Sequence, residues 1–275
     1  MKKVGIILIL THLMFTIYAQ TILPLANGTY EGDCADGELN GYGKAILNDG
    51  SVYSGSWKNN KRHGLGRAVF KDGSVYNGYW SNDRRVGHGT YDFANGDKYV
   101  GVFTHDEITG FGTYYYINGN KYSGEFINGD MMGVGVMNYA NGDRYEGNCV
   151  NGKKTGVGLY YYQNGNIYEG AFILDKKEGF GKMIMATGDL YMGDFKNNSR
   201  TGNGTFIWAN GDRYQGDFLQ GKMHGFGIFT WQSGERYEGT WRNNMRHGEG
   251  VLHSKEGDEI AMLFENGLKL SHSVQ

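Results

Sequence analysis

Residues 206–216 read FIWANGDRYQG, and residues 137–147, sixty-nine positions earlier, read MNYANGDRYEG. Sixty-nine is three times 23, and that interval runs through the chain. Tyrosine stands at Tyr30, Tyr53, Tyr76, Tyr99, Tyr122, Tyr145, Tyr168, Tyr191, Tyr214 and Tyr237, each followed two residues later by glycine. A G-x-G pair follows in every copy, from Gly41 and Gly43 to Gly248 and Gly250, and one closing glycine ends each copy, from Gly50 to Gly257. These four places hold 40 of the 47 glycines. Ten copies without an insertion describe a stack in which each unit packs only on its neighbours, because such a stack tolerates no change of register. An eleventh copy opens at Ile260 with AMLF and stops at Glu265–Gly267, as befits a terminal unit with nothing beyond it to pack on.

One copy, YSGSWKNNKRHGLGRAVFKDGSV (53–75), shows what each unit does. Tyr53, Gly55 and Trp57 alternate and therefore share one face of a strand. Asn59–Lys61 reads as a turn. The returning strand carries Gly64, Gly66, Ala68 and Phe70 in alternation. Lys71–Asp72–Gly73 then suits a three-residue hairpin loop with the glycine in the left-handed region. That loop sets a register: Ala68 opposite Tyr76, Gly66 opposite Gly78, Gly64 opposite Trp80. Rings then lie over glycines, which have no side chain to obstruct them.

The expected fold is all-β, an elongated single-layer antiparallel meander of β-hairpin repeats forming a solenoid-like twisted ribbon. About 20 strands at about 4.8 Å each give a length of roughly 95 Å. One face, expected to be concave, is glycine and aromatic. Its main column runs Phe70, Phe93, Tyr116, Tyr139, Tyr162, Met185, Trp208 and Trp231, and a second runs Tyr91, Tyr114, Met137, Tyr160, Met183, Phe206 and Phe229. The other face mixes polar residues with Phe111, Val134, Val157, Phe180 and Phe226.

Residues 1–19 form a segment of another kind. MKKVGIILILTHLMFTIYAQ (1–20) has two lysines, an apolar run from Val4 to Ile17, and Ala19 before Gln20, the layout of a secretory signal peptide. The run is shorter than the roughly 20 residues that span a bilayer, although a retained anchor is the competing reading. The domain plan is thus a signal peptide over 1–19, a short linker over 20–27, the array over 28–267 and a tail over 268–275. The expected location is outside the cytoplasm: periplasmic, cell-surface or secreted. The single proline, Pro24, precedes the array, and 15% aromatic residues argue against disorder. A formal net charge of −2 excludes a generic nucleic-acid-binding surface.

With Y-x-G-x-[WF], H-G-x-G and N-G at a 23-residue period, as in YEGTWRNNMRHGEG (237–250), the array resembles the MORN repeat (membrane occupation and recognition nexus) over nearly the whole chain. The resemblance implies a single-layer sheet of hairpins that serves as a docking scaffold for protein partners, with phospholipid association in some members. It implies no enzymatic activity, because no kinase or methyltransferase domain accompanies the repeats. Departures from the pattern are Cys34 and Cys149 at the aromatic fifth place, Ile260 for tyrosine, and the leader.

Sharper chemistry finds little support in the residues. The ten G-x-G pairs lack the strand–turn–helix context of a phosphate-binding loop. His63, His224 and His247 recur at the repeat's spacing, so zinc ligation has no third ligand close by. No catalytic set, metal ligand or cofactor site emerges. Asp97, Asp143, Asp189 and Asp212 follow the turns at one recurring place and read as hairpin chemistry. The aromatic face is the candidate site: Tyr114, Tyr116, Tyr139, Tyr160, Tyr162, Phe206, Trp208, Phe229 and Trp231 are the expected partner contacts, since tyrosine and tryptophan anchor interfaces well. A protein partner is expected; a membrane lipid or a glycan that stacks on the rings is the alternative.

Overall fold

The computed structural model describes residues 21–270; the leader and the last five residues of the tail lie outside them. The chain divides into two compact units, Met1–Val86 and Gly87–Gln275. The described residues of both units are antiparallel meanders of strands joined by tight turns, and no helix occurs among them.

In the first unit, β1 (Thr21–Leu25) pairs with β2 (Gly28–Ala35), followed by β3 (Glu38–Leu47), β4 (Val52–Lys58), β5 (Lys61–Val69) and β6 (Val75–Ser81), each antiparallel to the one before. The register across β5 and β6 is the expected one: Ala68 faces Tyr76, Gly66 faces Gly78 and Gly64 faces Trp80. The loop Lys71–Asp72–Gly73 is closed by Phe70 N–H donating to the Ser74 carbonyl at 2.9 Å, with Gly73 at φ +87°.

The other turn corrects the expectation. Lys61 pairs with Lys58 as the first rung of the hairpin, so the turn is the two residues Asn59 and Asn60, at φ +49° and +63°. This is the primed geometry, whose twist matches that of the flanking strands, and asparagine tolerates it.

The second unit repeats this plan from Gly87, within β7 (Arg84–Asp92), onward, and the copy at 168–190 shows how its faces are sorted. β14 (Ile167–Ile173) and β15 (Lys176–Ile184) pair from Ile167 opposite Ile184 to Gly170 opposite Gly181, and resume with Phe172 opposite Lys177. Ala171 therefore faces a bulge made of Glu178, Gly179 and Phe180, with Gly179 at φ +67°. The two glycines of each G-x-G thus do different jobs. Gly179 bends the strand. Gly181 lies under the Tyr168 ring, where an added Cβ would come within 2.6 Å of ring atoms.

Tyr168 is fully buried, and its hydroxyl donates to the Ala171 carbonyl at 3.0 Å. The rings beside it form the core. Tyr168 meets Phe172 edge-on at 5.2 Å and Phe195 of the next copy at 5.0 Å; Tyr191 meets Phe195 at 5.2 Å and Phe218 at 5.1 Å. Edge-to-face contacts of this kind add stability beyond the area they bury. At the C-terminal end, β22 (Glu259–Glu265) supplies Phe264, 5.6 Å from Tyr237. The degenerate half-copy therefore caps the last complete tyrosine. Cys149 takes a phenylalanine place, is buried beside Tyr145 and is a free thiol, pushed up in pKa first by burial.

Candidate functional site

All nine aromatic residues expected to contact a partner lie in the second unit, and most of them touch one another. Tyr114 and Tyr116 stand 4.7 Å apart, Tyr139 and Tyr160 5.9 Å, Tyr160 and Tyr162 4.5 Å. Phe206, Trp208, Phe229 and Trp231 form a continuous run at 4.5, 5.1 and 4.9 Å. Phe206 is buried and the other eight are half-buried, so each ring spends part of its area on its neighbours. Met183 and Met185 separate the tyrosine group from the phenylalanine and tryptophan group.

The aspartates at the start of the strands hold this face in place. Asp97 accepts from Ile117 N–H at 2.8 Å and from the Tyr114 hydroxyl at 2.8 Å. Asp143 does the same with Gln163 N–H and the Tyr160 hydroxyl, both at 2.8 Å. Each carboxylate fastens its own turn to the following hairpin, and both Asp97 and Asp143 are held below the usual carboxylate range. For Asp97 the bond from Ile117 is the main cause. For Asp143 burial pulls upward, and the bonds from Gln163, Tyr160 and Asn141 outweigh it. Tyr114 and Tyr160 are raised, by burial first and then by the adjacent carboxylate.

A second set of side chains shares this face and was missed in the sequence. Two residues before each G-x-G stand Leu39, Arg62, Arg85, Ile108, Met131, Lys154, Lys177, Arg200, Met223 and Arg246. Beyond the bulge, these residues pair with the buried aromatic place, as Lys177 does with Phe172 and Arg200 with Phe195. Lys154 Nζ donates to the Tyr139 hydroxyl at 3.1 Å and sits 3.0 Å from Asp175. Lys177 Nζ donates to the Tyr162 hydroxyl at 3.0 Å and lies over the Tyr168 ring at 5.3 Å. The Arg200 guanidinium lies 5.1 Å from the Phe206 ring centre and donates to the Gly221 carbonyl at 2.8 Å. The available signal was a recurring Lys or Arg at one fixed place. Plain alternation back from the G-x-G already puts this place on the glycine face; what it could not give is the pairing with the buried aromatic, because the bulge changes the register there.

The opposite face is apolar along one column. Phe111, Val134, Val157, Phe180 and Phe226 are 73%, 67%, 68%, 68% and 52% exposed. Each is the middle residue of a G-x-G and so faces away from its two glycines. A shallow groove of ≈ 590 Å³ runs between Phe180 and Phe226, floored by Gly193, Gly204 and Gly216. Among the described residues, no group of three or more His, Cys, Asp or Glu gathers to hold a metal ion.

Glycine-paved hairpins of constant length, stacked through tyrosine and phenylalanine, define an all-β repeat protein. The MORN repeat model matches ten consecutive segments, from 30–52 through 237–259, and the chain belongs to the MORN-repeat family. No curated protein matches it significantly. Similar solved structures include the TCP10 domain of Danio rerio CPAP in complex with a peptide of Danio rerio STIL, at 10% identity, covering 90% of this chain and 100% of that one with a TM-score of 0.41. The TCP domain of Drosophila melanogaster SAS-4 (dCPAP), in complex with a proline-rich motif of Ana2 (dSTIL), is 17% identical, covering 57% and 88% with a TM-score of 0.38.

Proposed function

We propose that the protein is an exported, non-catalytic scaffold that docks a protein partner along the aromatic face of its second unit. The observation that carries this reading is the run of half-buried rings from Tyr114 to Trp231, set on a rigid glycine floor at the interval of one repeat. Such rings anchor an interface at low entropic cost, because their neighbours already hold them in place. Export rests on the leader sequence, which lies outside the described residues. Among those residues no helix is long and apolar enough to cross a membrane.

The test is photocrosslinking in the native cell, with a photoreactive aromatic residue in place of Tyr160 and mass spectrometry of the product. A discrete protein adduct is the expected result. Lipid or glycan adducts transfer the function to those ligands, and a folded protein without adducts removes this face from consideration.

One observation favours a second reading. The column Phe111, Val134, Val157, Phe180 and Phe226 keeps five apolar side chains more than half exposed, the kind of surface that marks an interaction site. Docking there would place the adduct on a photoreactive residue at Phe180 and not at Tyr160.

A further inference from the structure

On the docking reading just given, we propose that the aromatic face takes a partner segment bearing carboxylates, received by Lys177 and Arg200. The argument starts from their counter-ions. Arg62 has Asp83 at 3.1 Å, and Lys154 has Asp175 at 3.0 Å, each 21 residues further on at the turn of the following hairpin. At the corresponding places for Lys177 and Arg200 stand Asn198 and Gly221. Neither substitute carries charge. Among the described residues no carboxylate forms an ion pair with either cation; Asn198 accepts from the backbone N–H of Lys177, and Gly221 offers only its carbonyl.

Two adjacent cations are thus half-buried, each against aromatic rings, with no protein anion to match them. Charge left half-buried and unpaired is costly, and an incoming carboxylate relieves that cost while gaining charge-assisted hydrogen bonds. The rings beside them, Tyr162 at Lys177 and Phe206 at Arg200, belong to the docking face already described.

Geometry sets the form of the ligand. One repeat is two strands, about 9.6 Å along the sheet, while an extended chain advances about 3.3 Å per residue. An extended segment running across the hairpins therefore meets Lys177 and Arg200 with carboxylates about three residues apart, and its intervening apolar residues meet the rings. An anionic membrane fits less well. Polybasic membrane sites are clusters of exposed charge, whereas Lys177 and Arg200 are half-buried, and Asp189 and Asp212 line the hairpin ends of the same strands.

The test uses a phage-displayed library of random 12-residue peptides selected on the whole protein, on a K177Q/R200Q variant and on the charge-preserving K177R/R200K variant. Circular dichroism checks the fold of each. The expected result is enrichment of peptides with Asp or Glu at three-residue spacing among apolar residues. A synthetic copy of one should bind K177Q/R200Q about tenfold or more weaker and K177R/R200K within a few-fold, as loss of a charged hydrogen bond requires. Changing its Glu to Gln should weaken it on the wild type and have little further effect on K177Q/R200Q. That peptide-side change keeps the test decisive even where the double variant does not fold.

Enrichment of peptides without acids, or acidic peptides indifferent to both changes, overturns the carboxylate site and leaves docking standing. Failure to enrich any peptide whose binding is lost on Tyr160→Ser overturns docking itself. Phosphatidylserine vesicles that bind the wild type and not K177Q/R200Q, with no peptide enriched, assign the two cations to a lipid.

Discussion

The Tyr160 hydroxyl donates to Asp143 Oδ2 at 2.8 Å across 17 residues of sequence, while Asp143 Oδ1 accepts from Gln163 N–H at 2.8 Å. One carboxylate therefore ties the turn of one repeat to both the ring and the turn of the next. In a stack whose stability lies in its interfaces, such a tie acts where the chain is weakest. Asp143→Ala is expected to cost about 2 kcal/mol, since it leaves two donors short of a partner, and Tyr160→Phe about 1 kcal/mol. Urea denaturation should give a double variant close to Asp143→Ala alone. Additive losses would show that the hydroxyl bond contributes independently of the carboxylate.

The same carboxylate sets an acid limit. Asp97 and Asp143 are held below the ordinary carboxylate pKa in the folded chain. Their contribution is present above the unfolded value, near 4, and is lost as pH falls through the folded one. Thermal midpoints measured from pH 6 down to pH 2 should therefore fall below about pH 4, and by less in the Asp143→Asn variant.

Glycines at two places in a repeat predict unequal losses for the same substitution. At Gly158 an added Cβ would lie 2.5 Å from the Tyr145 ring, whereas at Gly257 it would meet nothing within 4 Å and the only obstacle is φ at +100°. Gly158→Ala must displace a buried ring and is expected to cost about 3 kcal/mol by overpacking. Gly257→Ala meets only backbone strain, about 1 kcal/mol. Denaturation midpoints rank the two; equal losses would mean that the ring yields freely.

The period made most of the fold legible, because a fixed interval with Asp-Gly or Asn-Gly loops determines a register, and Ala68, Gly66 and Gly64 face Tyr76, Gly78 and Trp80 as read. What alternation alone could not show was the bulge. The step from Gly170 opposite Gly181 to Phe172 opposite Lys177 consumes three residues against one. It moved Lys61 from the turn into the strand and set each cation opposite a buried aromatic place. The role of Asp143 was half legible: its place beside the turn was plain, but its bonds go to residues 17 and 20 positions on, and only the stacking of hairpins brings those close.

Phe172 and Phe180, eight residues apart, test the separation of the two faces. Phe172 is 3% exposed and lies between Tyr145 and Tyr168, whereas Phe180 is 68% exposed on the other side of the sheet. Phe172→Ala is expected to cost about 3–5 kcal/mol, the range for a buried phenylalanine. Phe180→Ala should stay within about 0.5 kcal/mol. A large loss at Phe180 would place that ring in a packed interface, and the change should then be concentration-dependent.

Alkaline pH should unfold this protein through its tyrosine ladder. Burial pushes Tyr30, Tyr122 and Tyr168 up to about 12, and it also raises Tyr145, Tyr191 and Tyr214. A tyrosine with a raised folded pKa favours the folded state below its unfolded value, near 10, and that preference is lost as pH climbs toward the folded value. The sign is the reverse of that for the aspartates, and the number of such residues makes the effect cumulative. Stability should be level from pH 6 to 9 and fall steeply above 10. Tyrosinate absorbance from the ladder, read near 295 nm, should rise together with loss of the far-ultraviolet sheet signal. If the whole absorbance change instead followed one curve centred near 10 while the sheet signal persisted, the ladder hydroxyls would be accessible to solvent in the folded chain, and the rings would not be the sealed core that their packing against glycine describes.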